Sequence, residues 1–591
     1  MSKEGEKVII ANCSGFFGDR FTAAEEMIEG GPIDFLTGDY LAELTMAILF
    51  RLKSKEPDRG YVTTFFKQME KVMGSCLDRK IRVVSNAGGL NPKGLAAELA
   101  EMAQKLGLNP RIAYIEGDDL MPCLKDLQEA GEAFTHMDRG ISLADSGSFP
   151  ITANAYLGCW GIVKALEEGA DIVVGGRIAD AALVMGPAAW KYGWKRTDWD
   201  RLAGAAVAGH VIECGAQATG GNYSFFEEVP SFLNVGFPIA ELHPDGSSVI
   251  TKHPGTGGLV SIGTVKAQLL YEVRGPAYLT PDVIARFDTI SLSQEGTDRV
   301  SISGVRGEPP TPTAKVCINN FAGYKNSMSV VLTGLDIEKK AKIVEDTLFT
   351  RLGGKEAFQI VDVQLIRSDR EDPESNDLAF AYLRISLMDP DKKKAGKAFS
   401  AGVVELALAN IPGFTLTTPP GDAVPAIMHW PALVSNRHIT QIVILDGMEY
   451  RVEAAIAEQA NASAIEPPHP EGPVAEWPGR KISIAFGRLF ATRSGDKGGN
   501  ANLGIWAKTP ESYEFLRSYL SVEVLKNMLG DVRPYEIERY EFPNLLAVNF
   551  YIKGILGDGV AASLRSDPQA KTLGEYIRAK MIEAPESIAK G

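Results

Sequence analysis

The sequence predicts an α/β protein: a large N-terminal, mostly parallel sheet covered by helices with a β-rich extension, followed by a smaller C-terminal α+β domain. Three observations predict it. Over residues 7–190, short β-branched apolar runs alternate with amphipathic segments, the pattern of strands buried on both faces with a helix after each. From about residue 230, strand-like segments crowd together with few long helices between them. Five prolines in the fourteen residues EPPHPEGPVAEWPG (466–479) then mark a linker, because proline cannot continue helix or sheet ladders.

Taken in order, KVIIAN (7–12) reads as a strand meeting a glycine-rich turn, and RVVSNAGG (82–89) repeats the pattern. RIAYIEGDD (111–119) ends in acids, and ADIVVGGR (170–177) in Gly-Gly-Arg. FTAAEEMI, GLAAELAEMAQKLG and AYLGCWGIVKALEEGA carry helical periodicity between them. SSVITK, VSIGTVKAQLLYEV, DTISLSQ, RVSISGV and KVCINNF then read as strands of a largely antiparallel region. Helical patterns at 336–353 and 393–410 enclose strand-like VQLIR and AYLRISLM, so residues 1–465 divide into subdomains near 1–230 and 231–465. Beyond the linker at 466–480, residues 481–591 run strand (KISIAFGRLF), polar glycine-rich loop, strand (ANLGIWAK), helices (SYEFLRSYL, SVEVLKNML), two strands (IERYEFPN, LLAVNFYIKG) and a final helix (KTLGEYIRAKMIE).

Composition narrows the function classes. The 591 residues are 45% hydrophobic and 23% charged, ordinary for a globular chain. With 61 basic against 75 acidic side chains the net charge is −14, which repels a phosphate backbone and excludes nucleic acid as the expected partner. No apolar run approaches the ~18 residues of a membrane span, Val8–Ala11 is too short for a signal sequence, and six cysteines are scattered without a CxxC pair. A cytoplasmic protein forming a homo-oligomer is expected. GxSxG, GxxxxGK[ST], HExxH and kinase signatures are missing.

Four groups of residues are candidates for chemistry. In NCSGFFGDR (12–20), Asn12 and Asp19 border a strand-to-helix turn; Gly15 and Gly18 do not make GxGxxG, and the alternative is a tight turn with Asp19 in local contacts. TGDYLAE (37–43), SNAGGLNP (85–92), EGDDL (116–120) and GGRIADAAL (175–183) end other segments, so a parallel sheet brings Asn12, Asp39, Asn86, Asp118 and Arg177 to one rim, with Gly88, Gly89 and Asp180 adjoining. Such a rim offers carboxylates for proton transfer, amides for orientation and an arginine for an anion; helix capping is the alternative for each residue singly. GHVIECGAQATGGNY (209–223) sets His210 and Cys214 at i and i+4 on one helix face beside Glu213, with Gly220 and Gly221 in a loop able to approach a ligand. Acid–base work, thiolate chemistry and a packed helix end all remain open there. A zinc site would need further ligands, for which His243 and His253 are available, and no metal ligand is assigned. Finally, ATRSGDKGGNANLGIWA (491–507) carries Arg493, Asp496, Lys497 and Asn500 in a polar loop, either a solvated tip or part of a lid over the first domain.

ANCSGFFGDR, DFLTGDYLAELTMAIL, SNAGGLNP, ANAYLGCWGIVKALEEGADIVVGGRIADAAL, GHVIECGAQATGGNY and GFPIAEL together resemble the acyclic terpene utilisation protein AtuA family, and RSGDKGGNANLGIWA resembles the opening of that family's C-terminal ferredoxin-like domain. The resemblance covers about 1–455 and 482–585. It implies a C-terminal ferredoxin-like fold and a role in breaking down citronellol- and geraniol-type compounds through branched acyl-CoA thioesters; it carries over no catalytic residue.

The leading expectation is a cofactor-independent hydro-lyase or carbon–carbon lyase on a branched hydroxy acid or its CoA thioester, with CoA only as part of the substrate. Arg177 would anchor a carboxylate, Asp39, Glu213 or His210 would move the proton, and the backbone N–H groups of Asn86 to Gly89 would hold an enolate. The alternatives are a non-catalytic acyl-CoA-binding or assembly subunit, and a hydrolase or transferase with Cys214 as nucleophile beside His210.

Overall fold

The computed structural model describes residues 7–455, 477 and 479–590, so nearly all of the predicted linker lies outside the described residues. The apolar runs at the start of the chain become β1 (Val8–Asn12), β2 (Phe35–Gly38), β3 (Arg82–Ser85), β4 (Ile112–Glu116), β5 (Pro150–Ala155) and β6 (Ile172–Gly175). Five of these pair in parallel in the order β1-β2-β3-β6-β4. Being central, they are apolar on both faces, with Val83, Val84, Val173 and Val174 buried. β2, only FLTG, is too short and poor in β-branched residues for its sequence to announce it.

β7 (Pro238–Leu242) and β8 (Ser248–Lys252) continue the sheet antiparallel beside β1, and Thr440–Leu445 does so beside β4, giving eleven strands in all. β5 leaves this sheet to pair with the 21-residue strand Thr313–Thr333, which also pairs with Phe380–Asp389 and Val424–Ser435. These strands form the β-rich extension.

Two expectations about single elements fail for local reasons. VSIGTVKAQLLYEV is not a strand: Ile262–Leu269 is helical, because Ser261 Oγ accepts the Thr264 N–H at 3.2 Å and Thr264 Oγ1 accepts the Ser261 N–H at 3.0 Å, a capping box that starts a helix. The final helix stops at Arg578, and Met581–Pro585 is a strand paired with Lys481–Ala485.

The C-terminal domain has a four-stranded antiparallel sheet built from Phe490–Lys497, Asn500–Ala507, Ala547–Ile552 and Ile537–Phe542. The expected polar loop at 491–507 is instead a tight hairpin in which Lys497 pairs with Asn500, Gly498 having φ +64°. Side chains alternate across the pleat. Leu503, Ile505, Val548 and Phe550 enter the domain's own core with Phe515 and Leu516. On the opposite face, Asn502, Gly504, Trp506, Asn549 and Tyr551 meet the first domain, where Trp506 and Tyr551 join its core.

That docked face is tied to the backbone of residues 270–274. Asn502 Nδ2 donates to the Leu270 carbonyl (2.6 Å) and Asn502 Oδ1 accepts the Glu272 N–H (2.9 Å). Asn549 Nδ2 donates to the carbonyls of Val273 (3.0 Å) and Arg274 (2.8 Å). The Arg274 guanidinium forks onto Glu538 with two 2.7 Å bonds. Gly495 permits the approach, since a Cβ there would stand 2.2 Å from Tyr271 Cε2. Gly495→Ala is therefore expected to cost about 1–3 kcal/mol by overpacking and to speed hydrogen exchange at residues 490–497. Gly530→Ala, with open space around it, should leave that exchange unchanged.

Candidate functional site

Asn12, Asp39, Asn86, Asp118 and Arg177 stand at or just beyond the carboxyl ends of the five parallel strands, where open α/β sheets place their ligand crevices. Their contacts give them different tasks. Asn12 Nδ2 donates to the carbonyls of Ile212 (2.6 Å) and Glu213 (3.1 Å), holding the end of the helix Trp199–Ile212 over the rim. Asn86 Nδ2 donates to Asp39 Oδ1 (2.6 Å) while its Oδ1 accepts the Tyr40 N–H (3.0 Å). Asp118 Oδ2 accepts from Asn154 Nδ2 (2.8 Å) and from the Arg177 N–H (2.9 Å), fixing the turn after β6. Burial pushes Asp118 up to about 6 against these bonds.

Arg177 is 2% exposed. It donates to Asp180 Oδ1 (3.0 Å), the Leu41 carbonyl (3.3 Å) and the Tyr156 hydroxyl (2.9 Å), with its face 4.3 Å from the Tyr156 ring centroid. The expected role of Arg177 as an open carboxylate anchor does not match this placement, because both terminal nitrogens are already engaged. The expected enolate hole loses two of its donors: the Ala87 N–H is given to Ser85 Oγ (3.1 Å) and the Gly89 N–H to the Asn86 carbonyl (3.2 Å). Gly88 and Gly89 serve packing, against the Gly175 carbonyl and Leu49 respectively.

The helix Trp199–Ile212 ends before Cys214, so the expected i, i+4 pairing on one helix face does not form. His210 instead meets Glu213, its Nδ1 lying 3.1 Å from Glu213 Oε1, while its Nε2 lies 2.9 Å from the Gln268 carbonyl. A carbonyl only accepts, so Nε2 carries the ring proton and a neutral His210 presents a bare Nδ1 to Glu213. That arrangement suits a protonated Glu213. Burial, and secondarily Lys497, pushes His210 down to about 4. Burial, then the carboxylates of Asp180 and Glu272, pushes Glu213 well above the usual carboxylate range, opposed by Lys497 and Arg177. Asp39 is likewise pushed well up by burial and then by Asp180 and Glu213, against the Asn86 hydrogen bond and Arg177. The same surroundings act on Cys214: burial, then Glu213, Glu272 and Asp39, push its thiol well up, the opposite of an activated thiolate.

The docked hairpin closes the site. Arg493 lies over the Tyr271 ring with 4.1 Å from guanidinium carbon to centroid. Lys497 acts on His210 and Glu213, and Asp496 is pushed well up by burial and then by Glu272 and Glu43. Asn500 is satisfied structurally, donating to Asp138 Oδ1 (3.0 Å) and the Tyr551 hydroxyl (2.7 Å) and accepting the Gly554 N–H (2.8 Å).

A cavity between the domains is lined by Glu43, Asn319, His429, Asp496, Gly498 and Gly559, among others. Apart from Asp496, none of these residues is a candidate from sequence. Glu43, the last residue of TGDYLAE, lies 3.5 Å from Lys315 Nζ, 3.5 Å from the Tyr156 hydroxyl and 3.9 Å from His429 Nε2. Although burial raises it, Lys315, His429 and Arg177 hold Glu43 well below the usual carboxylate range. Burial keeps His429 down at about 4 despite Glu43. Lys315, Asn319 and His429 come from paired strands more than 270 residues beyond Glu43, so no local spacing signals them.

Other candidate residues have local duties. Asp19 accepts the N–H groups of Gly15 (2.8 Å) and Arg20 (2.7 Å). Gly15 lets this first loop cross the Cys214 backbone, since a Cβ there would stand 2.4 Å from the Cys214 carbonyl carbon. Gly220 packs near Val229 and Leu259, and Gly221 against the Ala216 carbonyl. His253 Nε2 lies 3.0 Å from the Met27 carbonyl with its ring against Gly30 and Gly31, and the His243 N–H closes a turn onto the Ser247 carbonyl. Among the described residues no cluster of three or more His, Cys, Asp or Glu is arranged for a metal ion, and no helix is long and apolar enough to cross a membrane.

The fold and site define an α/β protein whose strand-end rim of buried carboxyls is closed by a docked C-terminal domain. Comparison of sequences gives the family: residues 8–445 match the acyclic terpene utilisation family protein AtuA, and residues 484–583 match the AtuA ferredoxin-like domain. The chain belongs to the AtuA family. No curated protein matches it.

The two kinds of shift act on stability with opposite sign. The unfolded chain protonates a histidine near 6.5 before the folded protein protonates His210, so this contribution to stability falls as pH drops from 6.5 toward about 4. For Glu213 the folded protein holds its proton longer than the unfolded chain, so stability is lost as pH rises above about 4.3. Glu213→Gln should therefore melt higher than the wild type, by about 1 °C for each pH unit of delayed ionisation. The gap should be wider at pH 7.5 than at pH 4.5 when melting is followed by calorimetry.

Proposed function

We propose that the protein is a lyase that removes water from, or cleaves a carbon–carbon bond in, a branched hydroxy acid or hydroxyacyl-CoA, moving protons with its own side chains. The observation that carries this reading is the pair of buried carboxyls, Asp39 and Glu213, both held toward their protonated forms, with Glu213 among the groups that raise Asp39, beside a neutral His210 whose Nδ1 lies 3.1 Å from Glu213. Two acids that resist joint ionisation can divide into one base and one acid. Asp39, oriented by Asn86, takes the proton from the carbon next to the carbonyl. Glu213, whose carboxyl faces His210 Nδ1, gives its proton to the leaving hydroxyl. The carbon–oxygen bond then breaks, its electrons leaving with water while a carbon–carbon double bond forms. The carbon–hydrogen electrons supply that double bond, so no electron acceptor is required.

Membership of the acyclic terpene utilisation family supports a branched substrate. The raised Cys214 thiol speaks against a thiolate nucleophile. The reading is tested by incubating the full-length protein with branched 3-hydroxy acids and with their CoA thioesters, following water loss and chain cleavage by mass spectrometry. Asp39→Asn and Glu213→Gln are each expected to lower kcat by about 10²–10⁴-fold. Failure of both substrate sets to turn over, or full activity in both variants, would overturn it.

A further inference from the structure

At the domain junction, Arg493 keeps part of its guanidinium unpaired. It is 5% exposed, and its Nε and Nη2 are buried without a hydrogen-bond partner. Other arginines of the chain behave differently. Arg177 is engaged by Asp180, Leu41 and Tyr156, and Arg274 forks onto Glu538. Arg539, also 2% exposed, donates to Glu541 (2.8 Å) and to the carbonyls of Leu520 and Arg517. Arg274 and Arg539 spend their forks on the protein, and Arg177, although its Nε is also buried without a partner, has both terminal nitrogens engaged. Arg493 stacks on Tyr271 and leaves unused an edge whose two N–H vectors match the two oxygens of a carboxylate. Taking such a group out of water unpaired is costly, and the cost is offset when an anion arrives.

Strand register explains how this edge reaches the rim. Arg493 pairs with Gly504, and Gly504 lies on the face packed against Leu270, where an added Cβ would come within 2.6 Å of Leu270 Cβ. Arg493 thus projects from the docked face, near enough to Cys214 to act on its thiol. Cys214 directly follows Glu213.

We infer that Arg493 is the receptor for a free carboxylate on the substrate, so that the C-terminal domain supplies the anchor and the N-terminal rim supplies the acid and base. This rests on the lyase reading for the chemistry at the rim, and it adds a substrate class: the group held in the site bears its own ionised carboxylate, whether or not a thioester lies elsewhere in the molecule. A substrate whose only acyl carbonyl is esterified lacks the anchor.

The test uses the full-length protein with sodium 3-hydroxy-3-methylbutanoate and its uncharged methyl ester as probes, read by calorimetric titration and by melting temperature. The acid should bind saturably and raise the Tm of the wild type, with the ester at least 30-fold weaker. Arg493→Met should abolish acid binding, and Arg493→Lys should restore part of it. Without ligand, Arg493→Met should melt at or above the wild type, because it removes an uncompensated buried charge; a structural arginine would melt lower. Asp39→Asn should still bind the acid, and Arg493-dependent binding of the acid by a wild type that turns over neither acid nor thioester would count against the lyase reading alone. Equal binding of acid and ester, undiminished acid binding by Arg493→Met, or no binding of the acid to the wild type would each overturn the assignment of Arg493.

Discussion

The backbone of residues 270–274 is the seam on which the site depends. It presents carbonyls and an N–H outside any strand, and Asn502 and Asn549 satisfy four of them from the opposite domain. Buried backbone groups left without partners are costly, so separating the domains would expose the seam as well as the apolar surfaces of Trp506 and Tyr551. Docking is thereby enforced by hydrogen-bond bookkeeping in addition to apolar contact. It is also directional, since two asparagines in adjacent strands fit only one register along the seam. That register brings Arg493 and Lys497 to a rim that would otherwise hold an excess of acids.

Charge is distributed so that neighbouring carboxyls behave differently. Asp39 and Glu213 lie deep among other acids and are driven toward their neutral forms. Glu43, with Lys315 and His429 around it, is driven toward its ionised form. Tyr156 bridges the two regions, touching Arg177 on one side and Glu43 on the other. The crevice thus holds carboxyls of opposite tendency, those of Asp39 and Glu213 keeping their protons more readily than that of Glu43.

The glycines illustrate how the same residue type reads two ways in a sequence. In the first loop, Gly15 reads as part of a tight strand-to-helix turn, yet its small size is required by the backbone of Cys214 lying against it. In the hairpin, Gly495 suggests a flexible tip, yet it sits within a strand and admits the Tyr271 ring. Both are sites of close approach between segments far apart in the chain. Sequence marks that something must be small there and leaves open what it meets.

Periodicity by itself determined the alternation of strands and helices, the parallel centre and the antiparallel extension, because burial on one or two faces imprints a repeat along the chain. It also determined that Asn12, Asp39, Asn86, Asp118 and Arg177 end on one edge, since parallel strands place their carboxyl ends together. Only the tertiary structure decided which of them are free to act. Arg177 is consumed by Asp180 and Tyr156, Asp118 by the turn after β6, and the amides of Ala87 and Gly89 by their own loop. It alone supplied Glu43, Lys315, His429, Tyr271 and Glu272, whose roles come from contacts between segments tens to hundreds of residues apart. The physical reason is that a side chain's pKa and its spare hydrogen-bonding capacity are properties of its surroundings, and those surroundings are assembled by packing and not by neighbours in sequence.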